Sequence, residues 1–582
     1  MTKSGHMRRL GATLGIALAM ACCEASGAEL TVSAGEKGLA SLTYGKTELL
    51  ADGELRVTGA FFRKPSGDIY AADLSKANKR VGPVRAAAGS PQRSGTRQDL
   101  QFPWGTVTAT YAQNGSALAI DIVVQTDDES DELVGLYVQP LALKFPAAPK
   151  LTNRSWLFYM TSTMGHNLGA PGFVGAEWDQ GVLAVCNEQV VRPLAVGFAP
   201  PSKDAAHTYP VLAYTARHPM AKEKFPWIDR PVPPGGHDRW RLTLRFAPPK
   251  TPYNRIVKDL YARYAKAYPY EVKWDDRRPI AQCMLSSSGQ GWKTNPRGWH
   301  HGFQMGKLDI STEAGKESFK KDLLAYADRV GGIGKGIDAQ GVIVWDVEGQ
   351  EQPHMISYLG DPRSLPAEML LPVGEGKDAK PVVDVFFAKL RAAGLRTGIC
   401  IRPQRPMRPI YDEKVSQVSW VDHGERVANI NAKIAYAKKR WGCTLFYLDS
   451  DVVWFGDPSQ IPGAGGYSAV VDAQLLREVT RANPGILILP EWEDLRCYAY
   501  GAPYTQLNYN KLITPPDYVR LTYPQAFFVN RVDDKSGQAN KDALVEAVKQ
   551  RNILFYTGWY GASENALVKA IYDAADKGAA KE

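Results

Sequence analysis

Acids that directly follow apolar, strand-like runs are the residues of this 582-residue chain best placed to do chemistry. Four such runs end in Trp345-Asp346-Val347-Glu348-Gly349, Asp449-Ser450-Asp451, Pro490-Glu491-Trp492-Glu493-Asp494 and Asn530-Arg531-Val532-Asp533-Asp534. A single acid in that position is often no more than a helix N-cap or a surface ion pair. Several acids converging on one rim repel one another, which keeps some ionised and others protonated, the split that paired acid/base catalysis requires. Asp449 and Glu491 form the leading catalytic pair. Glu493 competes with Glu491 because residues two apart on a strand share a side, and Asp451 and Asp346 are further alternatives.

The same loops carry flat apolar faces and cations. Trp292, Trp345, Trp454, Trp492, Tyr509 and Trp559 are suited to stack on the apolar faces of sugar rings, while Asp346, Glu348, Arg402, Arg531 and Asp533 are suited to bond hydroxyls or to tune the acids. Each tryptophan taken alone is more often core than ligand platform, but together with the acids the set reads as a carbohydrate groove. Other chemistries are less well supported. Cys400 and Cys443 are embedded in strands, Ser286-Ser287-Ser288 lacks the G-x-S-x-G elbow, and the adjacent His300 and His301 point apart in regular structure, which weakens a metal site with Asp309. With no spaced Cys/His cluster and no dinucleotide loop, neither a transition metal nor an organic cofactor is expected. A structural calcium ion in the acidic stretch Asp449–Asp457 is compatible with the composition.

To bring these acids to one rim, the runs that precede them must be parallel strands joined by helices. After Pro279 the pattern predicts strands at Ile280–Leu285, Gly341–Trp345, Arg396–Ile401, Thr444–Leu448, Ile486–Leu489, Thr505–Tyr509, Ala526–Val529 and Ile553–Tyr556. Helical periodicity fills the intervals at Glu313–Arg329, Val382–Ala393, Val427–Arg440, Ala469–Ala482, Lys541–Gln550 and Asn565–Ala575. Eight strands in ~300 residues fit a (β/α)8 TIM barrel, whose functional groups stand where each strand ends. The acids and cations named above occupy those places.

Upstream, Glu29 to about Phe246 shows short alternating runs such as Ala117–Val124 and Arg239–Phe246 between turn-rich clusters, an antiparallel β-sandwich pattern. The prolines between Pro231 and Pro252 mark its exit, and Tyr253 to Tyr268 has apolar residues at helical spacing. The expected organisation is a leader over 1–28, a β-sandwich over 29–250, a linker helix within 251–278 and a catalytic barrel over 279–582.

The leader reading rests on Lys3, Arg8 and Arg9, an apolar run from Leu10 to Ala21 and the small residues Ser26-Gly27-Ala28, the order of a secretory signal peptide. It implies a periplasmic or secreted protein. Lipid anchoring at Cys22 is the less favoured variant, because Leu is missing three positions before the cysteine. No later segment approaches ~20 uninterrupted apolar residues, so no transmembrane segment is expected. The formal charge of +9 comes from scattered basic residues without a stripe or tail, which argues against nucleic acid as a partner. The seven cysteines are irregularly spaced, and the five beyond the leader read as buried apolar residues.

A sandwich followed by a barrel whose fourth strand ends in Tyr447-Leu448-Asp449 resembles the α-glycosidase clans, and the resemblance implies that Asp449 is a nucleophile. With Glu491 as acid/base after the fifth strand and Asp533 as an auxiliary carboxylate after the seventh, the pattern also resembles the α-amylase clan. That clan carries Arg two residues before its nucleophile, where this chain has Tyr447. The α-galactosidase clan places its acid after strand six, where Asn508 and Asn510 stand. The chain thus resembles each clan in part. The leading expectation is hydrolysis of a glycosidic bond in a polysaccharide or glycan, with Asp449 acting on the anomeric carbon and Glu491 protonating the leaving oxygen and then activating water. The alternatives are a non-catalytic glycan-binding barrel and a lyase or transglycosylase using the same groove.

Overall fold

The computed structural model describes residues 28–66, 69–83, 95–152, 159–160, 172–191, 195–199, 201–214, 231–286, 293–300, 308–349, 360–406, 417–419, 423–449, 451–452, 468–469, 473–491, 495–507, 512–557 and 563–579. The leader, Cys22 included, lies outside them. Among the described residues no helix is long and apolar enough to cross a membrane.

Alternating side chains make the N-terminal part all-β. In the hairpin of Gly105–Asn114 and Ala117–Thr126, Val107, Ala109 and Tyr111 on one strand and Leu118, Ile120, Ile122 and Val124 on the other are all buried. This hairpin belongs to an eight-stranded antiparallel sheet that also contains His237–Ala247 and Gly181–Asn187. The long strand Glu132–Lys144 sits in a separate seven-stranded sheet, between Arg56–Arg63 and Thr208–Tyr214. Leu136, Val138, Leu141 and Leu143 of that strand join the hairpin's apolar residues in one buried cluster. The Tyr111 hydroxyl donates to the Pro140 carbonyl oxygen (2.7 Å), giving the buried phenol its acceptor.

The helix expected from Tyr253 to Tyr268 forms as two pieces, Tyr253–Ile256 and Lys258–Ala267, broken at Val257, whose φ of −116° leaves the helical region. Leu260, Tyr261 and Tyr264 are buried with Phe173, Ala184 and Cys186 of the eight-stranded sheet. Arg245 donates to both Glu188 and Asp259, and Arg263 pairs with Glu188 as well, so an ion network fixes the helix on the sheet.

Eight parallel strands follow: Ile280–Met284, Gly341–Trp345, Arg396–Ile401, Leu445–Leu448, Leu487–Pro490, Tyr504–Gln506, Val529–Arg531 and Ile553–Thr557. Each ladder joins sequence neighbours, and the first strand also pairs with the eighth, so the sheet curls into a nearly closed barrel. The seam lies between the fifth and sixth strands, where the Ala502 N–H still reaches the Ile488 oxygen at 2.9 Å. Ile343, Leu445, Leu487, Val529 and Ile553 fill the interior, while Val342, Val344, Phe446, Ile488 and Leu554 face outward to Phe386, Leu390, Ile434 and Val568 of the helices. This two-sided burial explains the near-continuous apolar runs.

The seventh strand departs from expectation. Apolarity predicts strand over Ala526–Val529, but Ala526 closes a turn onto Tyr523 and the Phe528 N–H is taken by the Asn552 side chain. The ladder begins only at Val529, which moves Asn530 and Arg531 from the loop into the strand. The sixth strand is likewise shorter and one residue earlier than expected, ending at Gln506.

Candidate active site

Register and alternation bring the leading acids together. Ile401 lies beside Leu448 and Leu448 beside Pro490, and the pattern continues one step further through Asp449 N–H to Ile401 O and Glu491 N–H to Leu448 O. Arg402, Asp449 and Glu491 are therefore neighbours on three consecutive strand ends, with ~4.8 Å between strands. Cys400, Leu445, Tyr447, Leu487 and Leu489 belong to the barrel interior, so residues 402, 449 and 491, two positions further along, face inward as well.

Beneath the acids is an aromatic ring built from alternate strands. Trp345 and Tyr447 have centroids 4.7 Å apart, Tyr447 and Tyr504 5.0 Å, Tyr504 and Phe555 5.8 Å, and Phe555 and Trp345 5.8 Å. Four side chains from the even-numbered strands are the standard layer of such a barrel. Burial raises the Tyr447 phenol above its ordinary value, with the Glu491 and Asp449 charges adding to it. Tyr504 is raised by burial too, with Arg531 opposing and Glu491 and Asp449 reinforcing. The two phenols thus lie within electrostatic reach of both acids.

Asp449 is held by charge. Arg402 donates from Nε (2.8 Å) and Nη2 (2.7 Å) to Asp449 Oδ2, and both side chains are buried. Burial works against the Arg402 charge, but Asp449 holds the guanidinium above its ordinary value. The Arg402 backbone is fixed at both ends. Its N–H donates to Gly360 O (3.2 Å), and its oxygen accepts from Lys433 Nζ (2.7 Å). Gly360 has a φ of +64°, and a Cβ there would sit 2.5 Å from Arg402 N, so only glycine allows this approach.

Behind Arg402 stands a second set of charges. After the second strand, Asp346 adopts a left-handed φ of +59°, and its Oδ2 accepts from Ser286 Oγ at 2.7 Å. That bend turns Glu348 inward, where its Oε1 accepts from the Gly360 and Asp361 N–H groups. Burial, then the charge of Asp346, pushes the Glu348 carboxyl up to about 8. Burial also pulls the Lys433 ammonium down to about 8, against the attraction of Asp361. Asp361 resists its own burial through Arg363, which bonds both its oxygens (2.8 and 2.7 Å), and through Lys433, and stays below the usual carboxylate range.

The other expected site residues divide. Trp345 lies in the aromatic floor. Glu348 is buried behind Arg402 rather than on the open rim. Asp533 Oδ1 accepts from Ser536 N at 2.8 Å, closing a capping box on the helix Asp534–Ala539. Arg531 ends the seventh strand, facing inward with Val529. The Asp451 backbone pairs with Ala469 in a short ladder. Trp292, Trp454, Trp492, Glu493, Tyr509 and Trp559 lie outside the described residues. So does His301, whereas Asp309 is engaged locally by Ser311. All five cysteines beyond the leader are buried and unbridged.

Sequence reasoning missed Lys433, Asp361, Arg363 and Gln282. Lys433 and Asn429 were legible as anomalies, since both fall on the buried stripe of the helix His423–Trp441 with Ile430, Ile434 and Ala437. A lysine in such a stripe needs a buried partner.

No protein-family model matches the chain, and no curated protein matches it either. Solved structures do. The α-N-acetylgalactosaminidase NagBb from Bifidobacterium bifidum, in complex with GalNAc, aligns at a TM-score of 0.53 and 11% identity, over 95% of this chain and 93% of that chain. Its ligand-free form aligns at 0.51 and 10% identity, over 94% and 91%. At such identity the likeness is one of fold, and over nearly its whole length this chain has the fold of that glycoside hydrolase.

Proposed function

We propose that this protein is an exported glycoside hydrolase that cleaves a glycosidic bond in a polysaccharide or glycan, with Asp449 and Glu491 as its catalytic pair. The observation that carries the reading is the adjacency of these two acids on inward-facing strand ends above an aromatic floor, with Arg402 fixed on Asp449. A carboxylate in an ion pair has the form needed to attack or stabilise an anomeric cation. Glu491, half-buried on the next strand, is placed to protonate the leaving oxygen and then to activate water. Support also comes from the fold shared with NagBb. In this reading residues 1–28 are a cleaved leader, 29–250 a β-sandwich, 251–278 a linker and 279–582 the catalytic barrel of a periplasmic or secreted enzyme that needs no organic cofactor.

The test is a pair of isosteric variants assayed on a panel of glycans. Asp449→Asn and Glu491→Gln should each lower turnover by about 10²-fold or more, with folding stability within about 1 to 2 kcal/mol of the parent. Near-normal turnover in both variants refutes the pair. Binding of glycans by the parent without any cleavage points instead to a binding protein. Protein recovered from its native host should begin at or near Glu29, and a mature chain retaining Met1 refutes export.

A further inference from the structure

Among the described residues, the cations nearest Asp449 are engaged, and Arg531 differs from them. Arg402 is bonded to Asp449, Lys433 to the Arg402 oxygen, and Arg363 to Asp361. Arg531 has no such partner among the described residues. Its Nε is buried without an acceptor, and no described carboxylate pairs with its guanidinium. The residue as a whole is half-buried, but an N–H taken out of water without an acceptor is costly and persists where something else supplies one.

Its direction follows from the ladder. Arg531 pairs with Gln506 on one side and Phe555 on the other, and it alternates with Val529, which faces the barrel interior. The Tyr504 phenol feels the charge of Arg531 together with those of Glu491 and Asp449, so the guanidinium lies within electrostatic reach of the same ring as the two acids. A second orphan stands nearby. Gln282, on the first strand, alternates with the inward-facing Ile280 and pairs with Thr557 of the eighth strand; its buried Oε1 has no donor. One wall of the site, from strands three to five, therefore carries engaged acids and cations. The opposite wall, from strands seven, eight and one, presents a guanidinium Nε and an amide oxygen that lack partners among the described residues.

We propose that Arg531 binds an anionic oxygen group on the sugar, a uronic carboxylate or a sulfate ester, and so makes the site selective for acidic glycans. A guanidinium offers forked N–H donors that match either group, and the Gln282 carboxamide adds a polar contact on the same wall. The inference rests on the site assigned above but not on its chemistry, because selective binding does not require turnover.

Calorimetric titration of the full chain with galacturonate, glucuronate and galactose 6-sulfate, each beside neutral galactose or glucose, tests it directly. The parent should bind at least one acidic sugar about 10-fold or more tighter than its neutral counterpart, and the better of carboxylate and sulfate identifies the source of the charge. Arg531→Gln should abolish that difference, weakening acidic-sugar binding by about 10-fold or more beyond any loss of neutral-sugar binding. Arg531→Lys should retain part of it, and its retained fold, read from its thermal midpoint, guards against a result caused by unfolding. Equal binding of acidic and neutral sugars by the parent, or equal loss of both in Arg531→Gln, overturns the proposal. Intact acid selectivity in a protein that cleaves no glycan refutes the hydrolase reading and leaves this one standing.

Discussion

Replacing Glu348 by glutamine should remove the loss of stability with rising pH that this buried carboxyl causes. Burial, with Asp346 and Asp361 adding to it, moves this carboxyl from its ordinary 4.5 to about 8 in the folded protein. An acid whose folded value lies above its unfolded value contributes most stability while protonated in both states. That contribution is complete below about pH 4.5 and declines until about pH 8, above which the folded state carries the full cost of a buried anion. At ~1.4 kcal/mol for each tenfold difference in proton affinity, the whole span amounts to up to about 5 kcal/mol. Glutamine keeps the shape and the oxygen that accepts from Gly360 and Asp361, but it cannot ionise. Glu348→Gln should therefore lie within about 1 kcal/mol of the parent near pH 5 and become the more stable protein above pH 8. Lys433 acts in a separate window. Its ammonium is depressed from 10.5 to about 8, so stability recovers as pH rises from about 8 toward 10.5, in parent and variant alike. The assay is denaturant unfolding of both proteins between pH 4.5 and 9.5, with the difference in stability plotted against pH. A flat difference refutes the reasoning, and a variant that grows worse with rising pH shows that Glu348 folds as an anion.

Asp533 and Gly360 give sharper local tests. Asp533→Ala removes a capping box and should cost about 1 kcal/mol of stability while turnover per folded molecule stays within a few-fold of the parent; a large loss of turnover at unchanged stability would return this acid to the substrate. Gly360→Ala forces a Cβ against Arg402 N at a positive φ, so it should destabilise by about 1 to 3 kcal/mol and lower turnover further by displacing Arg402 from Asp449. Unfolding curves and initial rates on the same preparation check both, and a fully active, fully stable alanine variant would sink the role given to this glycine.

What was legible in the sequence depended on which physical signal each residue carries. Apolar runs ended by acids located the barrel strands and the Asp449–Glu491 neighbourhood, because a parallel strand buried on both faces leaves its polar residues at the end. The same signal did not separate floor from supporting layer at Trp345 and Glu348. Hydropathy says that a residue adjoins a strand end, but whether it forms floor, rim or supporting layer depends on the stagger of the ladders, which pairing alone reveals. The engaged cations behind Asp449 were hidden for a related reason. Lys433 stands on a helix and Asp361 in a loop, and their meeting around Arg402 is a tertiary event. The seventh strand shows most clearly how much turns on hydrogen bonding. Ala526, Phe527 and Phe528 are as buried as any strand residue, yet the Phe528 N–H goes to the Asn552 side chain and the ladder starts at Val529. Apolarity reports burial, whereas the ladder decides direction. That displacement takes Arg531 out of the loop where composition placed it and makes it an inward-facing strand residue, beside Gln506 and within electrostatic reach of Tyr504. A cation in a rim loop needs no explanation, since water solvates it. The same cation turned toward a barrel interior has its Nε out of water, and the question of what answers it arises only once the ladder has been read.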